Sequence, residues 1–247
     1  MGSYPWMSTF LAEARLTVAP SRDARDGLLP PLLVALTVVT GLVDSFSYLV
    51  LGHVFVANMT GNVVFFAFAL AGVGGFSAPA SIAAIGCFAA GALGAGRLGR
   101  SLGARPVLLS VTAGIEVVIV AETVTMAALT ARPVPAGLRY ALIVSLSLAM
   151  GAQNATARKL AVPDLTTTVL TLTITGIAAD SPVAGATGAH AARRLISVLA
   201  MFVGALAGAL LVLRVHIVYP LVIALIILAA VAVLGATRAR TSPYPAT

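Results

Sequence analysis

The residues best suited to bind a solute or an ion are a few polar side chains inside long apolar stretches. Asp44 is the only acid in the first of these stretches. A carboxylate placed in lipid is costly unless it is paired or hydrated, and it is by default a functional candidate. Buried amides also need hydrogen-bond partners. The candidate binding residues are Asp44, Asn58, Thr60, Asn62, Gln153, Asn154 and Thr171.

Each candidate also has an ordinary structural explanation. Asp44 lies about seven residues from the end of its apolar stretch and could simply reach the membrane interface. Threonine hydroxyls can bond the carbonyl four residues earlier in their own helix. Gln153 and Asn154 precede Arg158 and Lys159 and could equally be interfacial. The correspondence of Asn154 with Asp44 in an internal repeat, described below, favours a site.

Four further acids lie within or beside apolar stretches. Glu116 and Glu122 are six residues apart in one apolar stretch and therefore lie on different helix faces. They could form a proton relay or pair with arginines of neighbouring elements. Asp164 and Asp180 bracket another apolar stretch, where placement at the membrane interface explains both.

Other kinds of chemistry lack suitable residues. His53, His190 and His216 are scattered at loop positions without metal-ligand spacing. Cys87 is the single cysteine, which excludes a disulfide framework and a Cys-rich metal site. No Ser/His/Asp nucleophile set is present in the pattern. The sequence therefore predicts a protein that is not an enzyme and has no metal and no cofactor.

The composition is that of an integral membrane protein. The chain is 60% hydrophobic and only 9% charged, with a mean hydropathy of +1.04, whereas a soluble domain has about 25% charged residues. Its net charge of +7 comes from short basic clusters between apolar segments. Such clusters orient membrane proteins, and no basic face with interleaved aromatics indicates nucleic acid.

Eight apolar segments follow one another, and the first four correspond to the last four. Gly41–Asp44 matches Gly151–Asn154 at an offset of 110, and Gly91–Ala95 matches Gly204–Gly208 at 113. Thr60 and Asn62 match Thr171 and Thr173 at an offset of 111. We therefore predict cytosolic tails at 1–27 and 237–247 around one membrane domain, 28–236, with repeats at about 28–129 and 138–236. The segments lie at about 28–51, 54–74, 79–98, 106–129, 138–155, 163–179, 195–213 and 217–236.

The basic residues distinguish two ways of threading these segments. If all eight cross as parallel repeats, nine basic residues lie inside and six outside. If segments two and six are re-entrant or broken helices, twelve lie inside and three outside, as the positive-inside rule prefers. The predicted fold is therefore all-α, with about six transmembrane helices and two re-entrant or broken helices in two inverted repeats. Eight full crossings are the alternative.

Several motifs resemble those of the bacterial YoaK family. They are Gly41–Tyr48 (GLVDSFSY), Val54–Asn62 (VFVANMTGN), Gly151–Arg158 (GAQNATAR) and Val162–Thr171 (VPDLTTTVLT), within a resemblance over about 30–235. Members of that family are polytopic inner-membrane proteins. The resemblance therefore implies location and architecture, and it implies no reaction.

The leading functional hypothesis is a small-solute or ion transporter of the bacterial inner membrane with both termini cytoplasmic. If a cation is bound, Asp44 would be its charged partner and Asn154 a neutral orienting ligand. The alternative is a non-transporting scaffold or interaction protein whose polar residues lock helix packing. The expected partners are the lipid bilayer and a small solute or ion, without nucleic acid, and small-residue helix faces could support oligomers.

Overall fold

The regular structure of this protein is helical throughout the described residues, which in the computed structural model are 5–20, 26–130, 134–165, 167–168, 170–186 and 190–241. A short 3-10 turn spans Pro182–Ala184. The α-helices are α1 (Pro5–Val18), α2 (Leu29–Val50), α3 (Met59–Leu70), α4 (Ala78–Ser101), α5 (Arg105–Ala128), α6 (Ala136–Leu160), α7 (Leu170–Ala179), α8 (Ala191–Arg214) and α9 (Tyr219–Thr241).

Six of these helices have the length of a membrane crossing. Within the described ranges, α2, α4, α5, α8 and α9 are long and apolar enough to span, at 22 to 24 residues. At about 1.5 Å per residue, such helices cover the ~30 Å hydrocarbon core. The sixth, α6, has 25 residues but more polar side chains, of which Ser147, Gln153 and Thr156 are buried. The prediction of an all-α, multi-pass membrane protein is confirmed.

The two remaining apolar helices, α3 and α7, are too short to cross, with 12 and 10 residues. Both ends of each return to the same end of the bundle. His53 before α3 places its Nδ1 3.0 Å from the carbonyl oxygen of Gly75 after α3. Arg194 at the start of α8 bonds Asp164 before α7 and Asp180 after it. The predicted re-entrant helices are therefore observed, and the alternative of eight crossings is wrong.

Contacts between helix ends define two ends of the bundle. Arg105 at the start of α5 bonds the carbonyl oxygen of Leu160 at the end of α6, and it lies 3.1 Å from Asp26 before α2. Lys159 packs against Gly99 near the end of α4. We call this the basic end, because it also holds Arg97, Arg100, Arg158, Arg193 and Arg194.

The opposite end, which we call the aromatic end, holds α3. Four rings lie in sequence there, with neighbouring centroids 5.0 to 5.7 Å apart: Tyr48, Phe55, Phe65 and Phe76. Arg139 at the start of α6 lies beside Gly52 at this end. The two short helices therefore enter the bundle from opposite ends, α3 from the aromatic end and α7 from the basic end.

Small residues let the long helices pack closely in two pairs, α2 with α8 and α4 with α6. Close backbone approach of this kind is typical of helices in membranes. At four glycines in these pairs, a Cβ would meet a carbonyl oxygen of the facing helix: Gly41 against Met201, Gly91 against Leu148, Gly151 against Phe88 and Gly204 against Val38.

The two predicted tails are partly helical. Residues 5–18 form α1, which packs against α2 and α8, and Glu13 lies 3.3 Å from His190. At the other terminus, α9 continues to Thr241. Residues 1–4, 21–25 and 242–247 of the predicted tails lie outside the described residues.

Candidate functional site

The segment before α3 is held in a non-helical conformation by Asp44 of α2. Its Oδ1 accepts hydrogen bonds from the backbone N–H groups of Val56 at 3.1 Å and Ala57 at 2.9 Å. Its Oδ2 accepts from the side-chain amide of Asn58 at 2.6 Å. Backbone groups at membrane depth must be bonded within the protein, and Asp44 meets that need at this break.

Asn62 fastens the same segment from the other side. Its Nδ2 donates to the carbonyl oxygen of Phe55 at 2.6 Å, and its Oδ1 accepts from the N–H of Phe55 at 2.9 Å. Asn62 is fully buried. Together with Asp44 and Asn58 it forms the Asp44 cluster, which holds residues 55–58 before α3.

The charge of Asp44 depends on hydrogen-bond donors alone. The side chain is buried, and in the described part of the chain no basic side chain forms an ion pair with it. The nearby N-terminus of α3 favours negative charge, because the first N–H groups of a helix have a partial positive charge. Oδ2 accepts the hydrogen bond from the Asn58 side chain, and the backbone N–H of Asn58 is a further donor to the carboxylate.

A second group, the Asn154 cluster, lies before α7. Asn154 of α6 accepts at its Oδ1 from the hydroxyls of Thr167 at 3.2 Å and Thr168 at 2.5 Å. Its Nδ2 donates to the carbonyl oxygen of Met150 in its own helix. Asn154 therefore holds the segment before α7 much as Asp44 holds the segment before α3.

The two threonines of the Asn154 cluster were absent from the predicted site. The offset of 110 that relates Asp44 to Asn154 also relates Ala57 and Asn58 to Thr167 and Thr168. Extending the repeat alignment by these residues would have identified them.

Gln153 connects the neighbourhoods of the two clusters. Its Nε2 donates to the hydroxyl of Thr40 at 2.9 Å and lies 3.3 Å from the carbonyl oxygen of Leu36. Thr40 is one helical turn before Asp44, and Gln153 is adjacent to Asn154. The contact between α2 and α6 thus links the neighbourhoods of the two polar clusters through two buried hydrogen bonds of Gln153.

Two predicted site residues lie apart from both clusters. Thr60 is exposed in the first turn of α3, and Thr171 is exposed in the first turn of α7. The carbonyl oxygen of Thr171 accepts from the hydroxyl of Thr175 within the same helix. The structure therefore brings together Asp44, Asn58 and Asn62 in one cluster, and it places Asn154 in the other with Gln153 next to it in the chain.

Arg194 is a positioning residue that the sequence reasoning did not single out. Its Nε lies 2.7 Å from Asp164 Oδ1 and its Nη1 2.5 Å from Asp180 Oδ2, so it joins both ends of α7 to the start of α8. The available signal was an arginine following a short apolar segment that two acids bracket. The sequence predicted that Asp164 and Asp180 lie at the membrane interface, but it did not predict that Arg194 bonds both of them.

The polar clusters offer carboxylate, amide and hydroxyl oxygens rather than metal-binding groups of nitrogen or sulfur. Across the residues that the structure describes, no group of three or more His, Cys, Asp or Glu side chains could hold a metal ion.

Comparisons with known proteins identify relatives of this chain. A family model described as "Protein of unknown function (DUF1275)" matches residues 32–234. The chain is 32% identical over 153 residues to the UPF0700 transmembrane protein YoaK of Bacillus subtilis (strain 168). That alignment covers 60% of this chain and 65% of the relative, which is less than two thirds of the relative's length. No solved structure matches the chain.

The family match includes both polar clusters and nearly all of the membrane domain. The motifs around Asp44 and Asn154 predicted a resemblance to the YoaK proteins, and that prediction is confirmed. The chain therefore belongs to the DUF1275 family.

Proposed function

We propose that this protein is a transporter of a small solute or ion, with its site at the two tethered re-entrant segments. The observation that supports it is the pair of breaks before α3 and α7, each bonded by a polar side chain of the preceding helix, Asp44 or Asn154. Secondary transporters commonly bind substrate where discontinuous helices meet the bundle. Irregular backbone at membrane depth is tolerated where protein covers it or where it lines a cavity.

The same proposal includes an inverted internal repeat. In such a repeat α2 corresponds to α6 and α4 corresponds to α8. The α2–α8 pair of helices is then equivalent to the α6–α4 pair. The glycine contacts follow the same correspondence, since Gly41 against Met201 becomes Gly151 against Phe88. The short helices enter from opposite ends. Two halves of opposite orientation account for all three observations, as in many transporters.

In this proposal the basic end faces the cytoplasm of a bacterium. The positive-inside rule places clusters of arginine and lysine on that side, and the basic end holds most of them. Both termini then lie inside, because α1 contacts the start of α8 and α9 ends near the same face.

The charge of the clusters favours a cationic substrate over an anionic one. Asp44 is the only charged side chain in either cluster, and the ion pairs of the described chain do not include it. An anion approaching Oδ2 would be repelled, whereas a small cation or an ammonium group would gain a ligand. We therefore expect monovalent cations or small amines as the first substrates to screen.

Flux into proteoliposomes tests the proposal. Purified protein would be reconstituted and screened with monovalent cations, small amines and neutral solutes. We expect flux above that of protein-free vesicles, and its loss in Asp44→Asn. Glu122→Gln is the matched control, because Glu122 is an exposed acid of α5 outside both clusters. No flux across the panel, or full flux in Asp44→Asn, would refute the proposal.

A scaffold without transport is the second candidate, and the full hydrogen bonding of Asn62 favours it. Hydration at the break distinguishes the two. Asn58→Cys in a Cys87→Ser background should react with a small aqueous thiol reagent if solute reaches the cluster. Gly74→Cys, in an exposed loop, is the positive control. Protection of position 58 alongside labelling of position 74 would favour the scaffold.

A further inference from the structure

Glu116 is a buried acid that neither polar cluster uses. It lies near the middle of α5, a helix of membrane-spanning length, and is 1% exposed. Its Oε2 has no hydrogen-bond partner among the residues that the structure describes. An unpaired carboxylate inside a membrane protein is expensive, so such a residue is a candidate for proton or ion handling.

The register of α5 against α6 indicates what lies opposite Glu116. Arg105 bonds Leu160 near one end of the pair, and the hydroxyl of Thr156 lies 3.0 Å from that of Thr112 further along. These contacts make the two helices antiparallel. One turn beyond Thr112 is Glu116, and one turn back from Thr156 is Gln153. The rise of about 1.5 Å per residue places both at about the same level.

Gln153 carries the matching unsatisfied atom. It is fully buried, and although its Nε2 donates to Thr40, its Oε1 has no partner in the described chain. Amide and carboxylate oxygens are both acceptors, so they cannot bond each other. A proton on Glu116 turns one of the two acceptors into a donor, and a hydrogen bond between the two side chains would then satisfy both atoms.

We propose that the contact between α5 and α6 is a proton-binding site, in which Glu116 carries a proton on Oε2 and donates it to Oε1 of Gln153. The proton is taken from hydronium in the surrounding water: one O–H bond of hydronium breaks to leave a water molecule, and an O–H bond forms on the carboxylate, which becomes a neutral acid. Proton binding stands apart from the proposed transport, whereas the use of this proton to drive transport rests on that proposed function.

Few other titratable groups face this site. The helices packed on α5 are α6, α9 and α4. Residues 142–157 of α6 and 221–237 of α9 contain no acid, histidine, lysine or arginine, and residues 78–96 of α4 contain only Cys87. Two acids are also in this region: Glu122 of α5 is six residues from Glu116, about 9 Å along the helix, and Asp44 of α2 lies one turn beyond the Thr40 that bonds Gln153. The cations are at the basic end, on Arg97, Arg100, Arg105, Arg158, Lys159, Arg238 and Arg240. Arg105 is eleven residues from Glu116, about 16 Å along the helix.

Infrared spectroscopy of the purified protein tests the inference. We expect a carboxylic-acid C=O band at neutral pH that shifts when glutamate is ¹³C-labelled and disappears in Glu116→Gln. In Gln153→Met the band should move to higher frequency, because a hydrogen bond is lost. Asp44→Asn should retain it. Labelling of the wild-type protein gives an answer even if a variant does not fold.

Two results would overturn the proposal. One is the absence of any band that responds to glutamate labelling, which would mean that Glu116 is ionised. The other is a band present in choline chloride and lost in sodium or potassium chloride, which would assign the site to a metal cation. Flux in proteoliposomes is measured separately. A band without flux would leave the proton site standing and refute transport, and flux without the band would do the reverse.

Discussion

Asn62 of α3 bonds both backbone polar groups of Phe55, seven residues earlier in the chain. The amide thereby provides the hydrogen-bond partners that Phe55 would find on the backbone of a helix or a sheet. Since lipid offers no alternative partner, the non-helical segment before α3 depends on this one amide together with Asp44. Substitutions of Asn62 or Asp44 should therefore change the free energy of unfolding by a measurable amount.

Replacing Asn62 by leucine should destabilise the fold severely. The change keeps the size of the side chain but removes the partners of the N–H and the carbonyl oxygen of Phe55, which is half-buried. At about 1–3 kcal/mol for each unsatisfied group, the free energy of unfolding should fall by roughly 2–6 kcal/mol. Thermal unfolding in detergent measures it, with the exposed Thr60→Val as control. Equal melting temperatures for Asn62→Leu and wild type would contradict the prediction.

A variant in which Asp44 and Asn58 exchange their side-chain types should show whether the two residues stabilise the fold as a hydrogen-bonded pair. In Asp44→Asn a neutral bond between two amides replaces the charge-assisted bond of 2.6 Å to a carboxylate. The double variant Asp44→Asn/Asn58→Asp restores one carboxylate acceptor and one amide donor. We expect the double variant to recover about 1 kcal/mol or more of the stability lost in the single variant. A strictly additive cycle in thermal unfolding would show that the pair is not coupled.

Removing Arg194 should loosen α7 without unfolding the protein. Arg194→Gln breaks the bonds to Asp164 and Asp180. Asp180 is half exposed, and such surface pairs contribute only about 0–1 kcal/mol. We expect faster hydrogen exchange in residues 170–186 and little change in melting temperature. The control is Arg193→Gln, whose side chain lies near the carbonyl oxygen of Pro163. Equal exchange in both variants would count against this role.

The effect of replacing a glycine by alanine on stability should depend on the position of the glycine. Gly151→Ala places a Cβ against the carbonyl oxygen of Phe88, so α4 and α6 must separate. Gly94→Ala in α4 meets nothing within 4 Å and should be neutral, or stabilising by up to about 1 kcal/mol. The yield of monodisperse protein after detergent extraction, followed by thermal unfolding, distinguishes them. Similar behaviour of the two variants would argue against this packing.

The loops at Gly74 and Gly185 should lie on opposite sides of the membrane. One adjoins the contact between His53 and Gly75, and the other follows the ion pairs of Arg194. Reporter insertions into the full-length chain should therefore give an external signal at Gly74 and a cytoplasmic signal at Gly185. Matching signals would reject the proposed inverted arrangement.

Hydropathy and charge predicted the six long helices and the short helices between them, because a membrane requires runs of a certain length. The start of α3 was not predictable in this way. Residues 54–58 are as apolar as the helix that follows, and segment two was placed at 54–74, whereas α3 is Met59–Leu70. The reason is tertiary, since the donors of Val56 and Ala57 bond an acid more than ten residues away.

The candidate site was likewise predictable from the sequence only in part. Asp44, Asn58 and Asn62 stood out because polar residues are rare in an apolar stretch, and they do lie together. Arg194 did not stand out, because an arginine at a helix end looks like an orientation signal. Its two bonds to Asp164 and Asp180 depend on where α7 returns, which composition does not encode.

The packing of α2 against α8 also sets when α2 can reach its final contacts during synthesis. Ser45 of α2 donates to the carbonyl oxygen of Ala205 in α8 at 2.7 Å, across a separation of 160 residues. At about 5–20 residues per second, the ribosome needs on the order of ten seconds or more to make that stretch. During synthesis α2 therefore waits in the bilayer without its final neighbour. The nascent first half should be the form most dependent on insertion factors and most vulnerable to membrane proteases.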